Sequence, residues 1–183
     1  KGVEGTIIND AVPFPGGIVL GTKDLAFAEK KAGLYLWRID DQSLVQLRDD
    51  QVCSNGKVIW PDGDHWRLLD IDTPTQTVVE YRLDAEQGRL SEERVVLDLT
   101  ELDIFPDGMV ATADRQSVII AFYNPGDAPH GVVRQYGLET GVVECEWQLP
   151  GSPQVTCPLL VQWKGEVQLL ATTAAENMSI ERR

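Results

Sequence analysis

A chain of 183 residues with 43% hydrophobic content is long enough to bury a core and too apolar to be a disordered tail. Its net charge of −13, from 29 acidic and 16 basic residues, repels nucleic acid and anionic membranes and attracts cations. No apolar run approaches the roughly 20 residues that cross a bilayer, and no apolar signal segment follows Lys1, so a cytoplasmic protein is expected.

In chain order, short apolar runs alternate with clusters of Gly, Pro, Asn and Asp, the pattern of an all-β protein. GGIVLGT and GLYLWRI come first, separated by a stretch from Asp24 to Ala32 that reads as a loop. WRLLDI, TVVEYRL and RVVLDL follow, then SVIIAFY, GVVRQYGL, VVECEW and finally VQLLATT. No segment of a dozen residues carries a helical stripe. The three cysteines, Cys53, Cys145 and Cys157, are odd in number and lack a C-x-x-C spacing, which argues against a disulfide scaffold or structural zinc. Their strand-like apolar neighbours predict buried, reduced thiols. With only two histidines, His65 and His130, a histidine-rich transition-metal site is not expected.

The strands repeat. INDAVPFPGGIVLGT, SNGKVIWPDGDHWRLLDIDTP, PDGMVATADRQSVIIAFYNP and VTCPLLVQWKGEVQLLATTA share one grammar: a small polar residue, a short apolar strand, a tight turn and a stronger apolar strand. Asn9, Asn55, Asp107 and Thr156 then occupy one position, at intervals of 46, 52 and 49 residues. Between these segments lie outer hairpins in which Trp37, Tyr81 and Tyr136 hold equivalent places. Two inner and two outer strands make a four-stranded sheet of about 50 residues, the size of a propeller blade. In a propeller the first strand of each blade lines the central channel. The four polar residues are therefore expected to converge there, surrounded by the loops near 23–31, 72–76, 124–131 and 175–183. Amide and carboxylate oxygens in such a ring suit a hard cation such as Ca²⁺, although Asn-Gly and Asp-Gly are also ordinary turn formers. The second PDG, at Pro61 to Gly63, falls at an inner hairpin turn and is read as a turn only.

The ordered set of motifs resembles the gluconolactonase / senescence-marker-protein (regucalcin) / luciferin-regenerating-enzyme family. SNGKVIWPDG is similar to that family's SNGLxWSPDG stretch, DIDTPTQTVVEYRLD to its D-S/T-P-T stretch, and FPDGM to its PDGM motif. INDAVPFPGGIVLGT resembles its NDG…GT segment, and QVTCP with LLATTA resembles its closing segment. The resemblance implies an all-β, six-bladed β-propeller, of which residues 1–183 form one partial domain covering roughly four blades, since six repeats need about 300 residues. It also implies one divalent cation, most simply Ca²⁺ with Mg²⁺, Mn²⁺ or Zn²⁺ as substitutes, and Asn55 and Asp107 as its ligands. Asn9 is then placed near the metal or the substrate. A first-blade Glu ligand has no counterpart in the chain. Ile7 stands where the family often carries a substrate-binding Arg, and Ile cannot hydrogen-bond a sugar hydroxyl, which argues against gluconolactone itself. In the loop after GT, Lys23 and Asp24 stand where many members carry acidic residues, and they are read as substrate-binding.

The implied activity is metal-dependent hydrolysis of a small lactone or related ester. The cation polarises the carbonyl and activates water, with Asp107 as ligand and general base. Because a carboxylate on a dication is a weak base, His130 in the NPGDAPHG loop is a second group able to take the proton or bind substrate. No nucleic-acid or membrane partner is expected. The alternative is a non-catalytic propeller that binds calcium or serves as a protein-interaction platform, since fold does not fix activity.

Overall fold

The computed structural model describes residues 2–176. They form fourteen antiparallel strands and one turn of 3-10 helix, in two compact units meeting in sequence at Thr100 and Glu101.

The first unit holds two four-stranded meanders. One consists of β1 (Thr6–Phe14), β2 (Gly17–Asp24), β3 (Ala32–Arg38) and β4 (Leu44–Gln51). The other consists of β5 (Ser54–Asp62), β6 (His65–Asp72), β7 (Thr77–Asp84) and β8 (Arg89–Asp98), with the 3-10 turn Thr73–Thr75 between β6 and β7. Val19, Leu34 and Leu36 of the first sheet pack on Leu68, Tyr81 and Leu83 of the second. Phe14 and Trp66 meet edge to face, with centroids 4.8 Å apart.

The second unit holds a third meander of β9 (Phe105–Ala111), β10 (Ser117–Tyr123), β11 (His130–Gly137) and β12 (Val143–Pro150), and a pair, β13 (Val155–Trp163) and β14 (Glu166–Thr173). Ile119, Ala121, Val133 and Val155 form its core, flanked by Leu160, Leu169 and Ala171.

In the four-stranded sheets the second strands are well buried, whereas β1 has no buried residue. In β10 every residue from Ser117 to Phe122 is buried, hence a continuous apolar run. On β4, β8 and β12 few residues are buried. There the outer hairpins carry cross-strand ion pairs, Glu80 with Arg94 at 2.9 Å and Arg134 with Glu146 at 2.8 Å. Charges on an outermost strand discourage further pairing.

The repeat read from the sequence is the repeat of the structure. Leu34, Val78 and Val133 pair directly with the second strands at Gly21, Ile71 and Ala121, and three residues on stand Trp37, Tyr81 and Tyr136. The segment after Asp24 is a loop up to Lys31, and the second PDG closes the β5–β6 hairpin, with Gly63 at φ 66°. The thiols depart from expectation. Cys53 is buried, but Cys145 is half-buried and Cys157 exposed, and none is bridged. Cys145 lies on an outermost strand and Cys157 on a two-stranded sheet, where apolar neighbours in sequence do not guarantee cover in space.

Candidate functional site

Each inner strand is interrupted at the same place. Between Ile8 and Ala11, β1 advances three residues while β2 advances two, so Asn9 and Asp10 sit in a β-bulge. The same slip occurs in β5 between Ser54 and Lys57, around Asn55, and in β9 between Pro106 and Met109, around Asp107. In β13 it falls at Thr156, between Val155 and Cys157. A bulge adds an unpaired residue and re-aims its side chain out of the regular alternation. All four polar residues aligned by sequence therefore share one local geometry, at the head of the first strand of each sheet.

In the first unit the two bulges touch. Asn9 Nδ2 donates to the Ser54 carbonyl at 3.1 Å and lies 3.5 Å from Cys53 Sγ. Asn55 is buried, and its Nδ2 donates to Thr73 Oγ1 at 3.1 Å. With both amide nitrogens engaged, each asparagine keeps its Oδ1 as the remaining donor to a cation or acceptor for a hydroxyl. The segment before Asn55 is pinned by Asp72, whose carboxylate accepts the Cys53 amide at 2.8 Å and the Val52 amide at 3.2 Å. Burial raises the Asp72 carboxyl above its ordinary value, while those two amides pull it back. Asp10, the other residue of the β1 bulge, is also raised by burial, opposed by the Lys57 ammonium and the Ala11 amide.

Lys23 lies on β2 directly opposite Ile7. Directly paired residues point to one face with Cβ atoms about 5 Å apart. Lys23, half-buried as a residue, thus stands beside the exposed Ile7. Asp24, one residue on, is used differently. It is fully buried and accepts the amides of Ala26, Ala28 and Glu29 at 3.1, 3.0 and 2.9 Å, with Lys31 Nζ at 3.2 Å. The Ala28 and Glu29 amides hold its carboxyl far below the ordinary range. Both oxygens shape the loop after β2.

In the second unit the bulges of β9 and β13 touch as well. A Cβ on Gly108 would meet the Thr156 carbonyl oxygen at 2.6 Å and Cys157 Cα at 2.8 Å, so only glycine lets the strands approach. Asp107 is half-buried, and its charge is among the influences that, after burial and Glu176, push the Tyr123 phenol up to about 12. Thr156 Oγ1 is paired with Thr172 Oγ1 at 2.7 Å. His130 is the first residue of β11, half-buried, rather than the tip of the preceding loop. It stands at the Asp107 end of the sheet but two strands outward from β9, about 10 Å by strand spacing. The last of the expected rim loops, 175–183, lies outside the described residues from 177 on.

Sequence reasoning missed the polar cluster behind Asn55. Lys57 and Asp70 are buried 3.4 Å apart, Gln51 Nε2 donates to Asp70 at 2.6 Å, and Ser54 Oγ at 3.0 Å. Two opposite charges at inward positions of apolar strands, in SNGKVIW and WRLLDID, were the available signal. Among the described residues no three His, Cys, Asp or Glu side chains lie together in a metal-holding arrangement; the oxygens at the bulges are mostly amide and hydroxyl.

The pattern of the SMP-30/Gluconolactonase/LRE-like region matches residues 1–175. YvrE of Bacillus subtilis (strain 168), which carries the name sugar lactone lactonase, is 36% identical over 112 residues, or 61% of this chain and 37% of YvrE. A luciferin-regenerating enzyme structure aligns with TM-score 0.78 and 18% identity, covering 98% of this chain and 59% of that one. The calcium-binding protein regucalcin from Agrobacterium tumefaciens str. C58 aligns with TM-score 0.75 and 22% identity, covering 97% and 56%. This chain therefore spans about two fifths to three fifths of the length of these relatives. The structural likeness establishes the fold class: an all-β chain of the β-propeller kind, covering roughly four blades.

Proposed function

Since the chain belongs to the SMP-30/Gluconolactonase/LRE-like family, we propose that the complete protein is a divalent-cation-dependent hydrolase of small lactones or related esters. The observation that carries this reading is the polar residue at a β-bulge heading each inner strand. Four register-matched bulges are more than turn chemistry requires. Their side chains offer oxygen and neither imidazole nor thiolate, which suits Ca²⁺ first and Mg²⁺, Mn²⁺ or Zn²⁺ as substitutes. The named relatives support the substrate class and the cation respectively: YvrE through the sugar lactone lactonase activity its name assigns, regucalcin as a calcium-binding protein.

In this reading Asn55 Oδ1 and the Asp107 carboxylate are cation ligands, each supplied by its bulge. When bound, a divalent cation supplies Lewis acidity toward the ester carbonyl and toward water. Asp107 would also accept the proton of the attacking water, and His130, two strands outward, is assigned as a substrate contact. Asn9 offers its Oδ1 to a substrate hydroxyl, and Lys23 offers an ammonium to a carbonyl or ring oxygen beside the apolar Ile7. Asp24 serves the substrate by holding the loop after β2. The family pattern crosses both compact units, which supports reading residues 1–183 as part of one propeller domain. A cytoplasmic location belongs to the same proposal and is supported by three unbridged thiols. No nucleic-acid or membrane partner is included; among the described residues no helix is long and apolar enough to cross a membrane.

The second reading is a calcium-binding or protein-interaction propeller without turnover. It draws on the regucalcin likeness and on Ile7, which is 51% exposed and offers a substrate no hydrogen bond. One experiment separates the two: calorimetric Ca²⁺ titration of the complete protein, with a lactone and aryl-ester hydrolysis screen. Asp107→Ala removes binding and hydrolysis together, and Asn55→Ala weakens affinity. Asp62→Ala changes neither, because Asp62 is engaged by Arg67 at 2.7 Å beside the hairpin turn. Equal affinity in wild type and Asp107→Ala refutes the metal assignment. Cation binding without turnover on any ester leaves the second reading.

A further inference from the structure

The bulge at Asn55 takes two residues out of the β5–β6 ladder. Ladder pairing passes from Ser54↔Asp72 to Lys57↔Asp70 and skips Asn55 and Gly56. A buried carbonyl at such a slip needs a donor from elsewhere. Lys57 provides it: its side chain folds back along β5 and Nζ donates to the Asn55 main-chain carbonyl. The Lys57 side chain is wholly buried, so the ammonium needs a counter-charge, and Asp70 on β6 stands 3.4 Å away with its own side chain 2% exposed.

The surroundings are built around that pair. Gln51 and Ser54 donate to the two Asp70 oxygens. Gln51 commits its amide nitrogen to Asp70, and its Oε1 is left as the one buried side-chain nitrogen or oxygen without a hydrogen bond among the described residues. Gly21 on β2 leaves the space that the ammonium and hydroxyl fill, since a Cβ there would lie 2.9 Å from Lys57 Nζ and 2.2 Å from Ser54 Oγ. Burying an ammonium and a carboxylate inside a sheet is poor strategy for stability alone, because an apolar pair of similar volume does as well or better. What an apolar pair cannot supply is the donor to the Asn55 carbonyl. Lys57 thus holds the main chain of Asn55 and Thr73 holds its side-chain nitrogen, which together restrict where Oδ1 can point.

We propose that Lys57, balanced by Asp70, is a positioning residue for Asn55: it fixes the bulge so that the Asn55 amide oxygen is presented to a cation in a single orientation. The inference rests on the reading of Asn55 as a ligand given above.

The test uses the complete protein and the paired variant Lys57→Met/Asp70→Leu, which removes both charges and keeps apolar bulk. Its melting temperature is expected within a few degrees of wild type. Even so, the Asn55 side-chain amide signal in ¹⁵N NMR of the cation-free protein shifts, and Ca²⁺ affinity by calorimetry falls about tenfold or more, the usual effect of losing a group that orients a ligand. A variant that keeps its stability, its Asn55 signal and its affinity shows a pair that is only structural and overturns the proposal. Should the paired variant not fold, the wild type decides. Its Lys57 ammonium protons must exchange slowly and show through-hydrogen-bond coupling to the Asn55 carbonyl carbon, and rapid exchange overturns the proposal. A wild type that binds no Ca²⁺, while the Asn55 signal still moves in the variant, sinks the ligand reading and leaves the positioning of Asn55 standing.

Discussion

Replacing Gly108 by alanine tests whether the β9 and β13 bulges pack as described. The new methyl carbon would lie 2.6 Å from the Thr156 carbonyl oxygen, 2.8 Å from Cys157 Cα and 3.1 Å from Cys157 Cβ. Carbon atoms in comfortable contact sit about 3.5–4.0 Å from their neighbours, so the overlap approaches 1 Å. Two of the three obstacles are main-chain atoms of a paired strand, which cannot rotate away. The strands must part instead, at a cost of about 1–3 kcal/mol for overpacking. At roughly 2–4 °C per kcal/mol for a domain of this size, Gly108→Ala is expected to melt about 2–12 °C below wild type. Gly2→Ala is the control, since nothing lies within 4 Å of a Cβ there, and its melting temperature stays put. Calorimetric melts of the three proteins are the assay. If Asp107 is a cation ligand as proposed, Ca²⁺ affinity is expected to fall along with stability, because Gly108 follows Asp107 in the bulge. A Gly108→Ala protein that melts with wild type refutes the close approach, and with it the account of how that bulge is held.

Three further outcomes follow from the same structure. Asp24 is ionised far below the usual carboxylate range by loop amides and Lys31, so its stabilisation is full above about pH 4 and is lost as pH falls further toward its folded value. Asp24→Asn therefore melts lower at neutral pH and declines less on acidification, and parallel melting curves against pH would refute this use of the carboxylate. Phe122, fully buried on β10 under the Arg134 guanidinium at 5.5 Å, is expected to cost about 3–5 kcal/mol when cut to alanine, read by denaturant unfolding. Under a thiol-specific reagent, exposed Cys157 reacts first and buried Cys53 only on unfolding, as peptide mapping of the labelled protein will show.

How far the site was legible can be judged residue by residue. Asn9, Asn55, Asp107 and Thr156 were aligned from the repeat alone, and each falls in a bulge at the head of an inner strand. The bulges themselves were invisible, because an extra residue in one strand shows only against the register of its partner. Lys23 and Asp24, adjacent in sequence, were read as one kind of residue. They separate in space because successive strand residues face opposite ways, Lys23 beside Ile7 and Asp24 into its loop.

The amino-acid sequence by itself determined the strands, their grouping by fours and the polar residue that opens each unit. These follow from local rules: two-residue alternation, turn-forming dipeptides, and the recurrence of one supersecondary unit. Tertiary structure alone decided which charges are buried and what they hold. Lys57 and Asp70 are 13 residues apart in the chain and look like incidental charges in apolar strands. They become a pair only when β5 and β6 align and Gly21 leaves room beneath β2, because hydrogen bonding and desolvation depend on distances that the folded sheet sets.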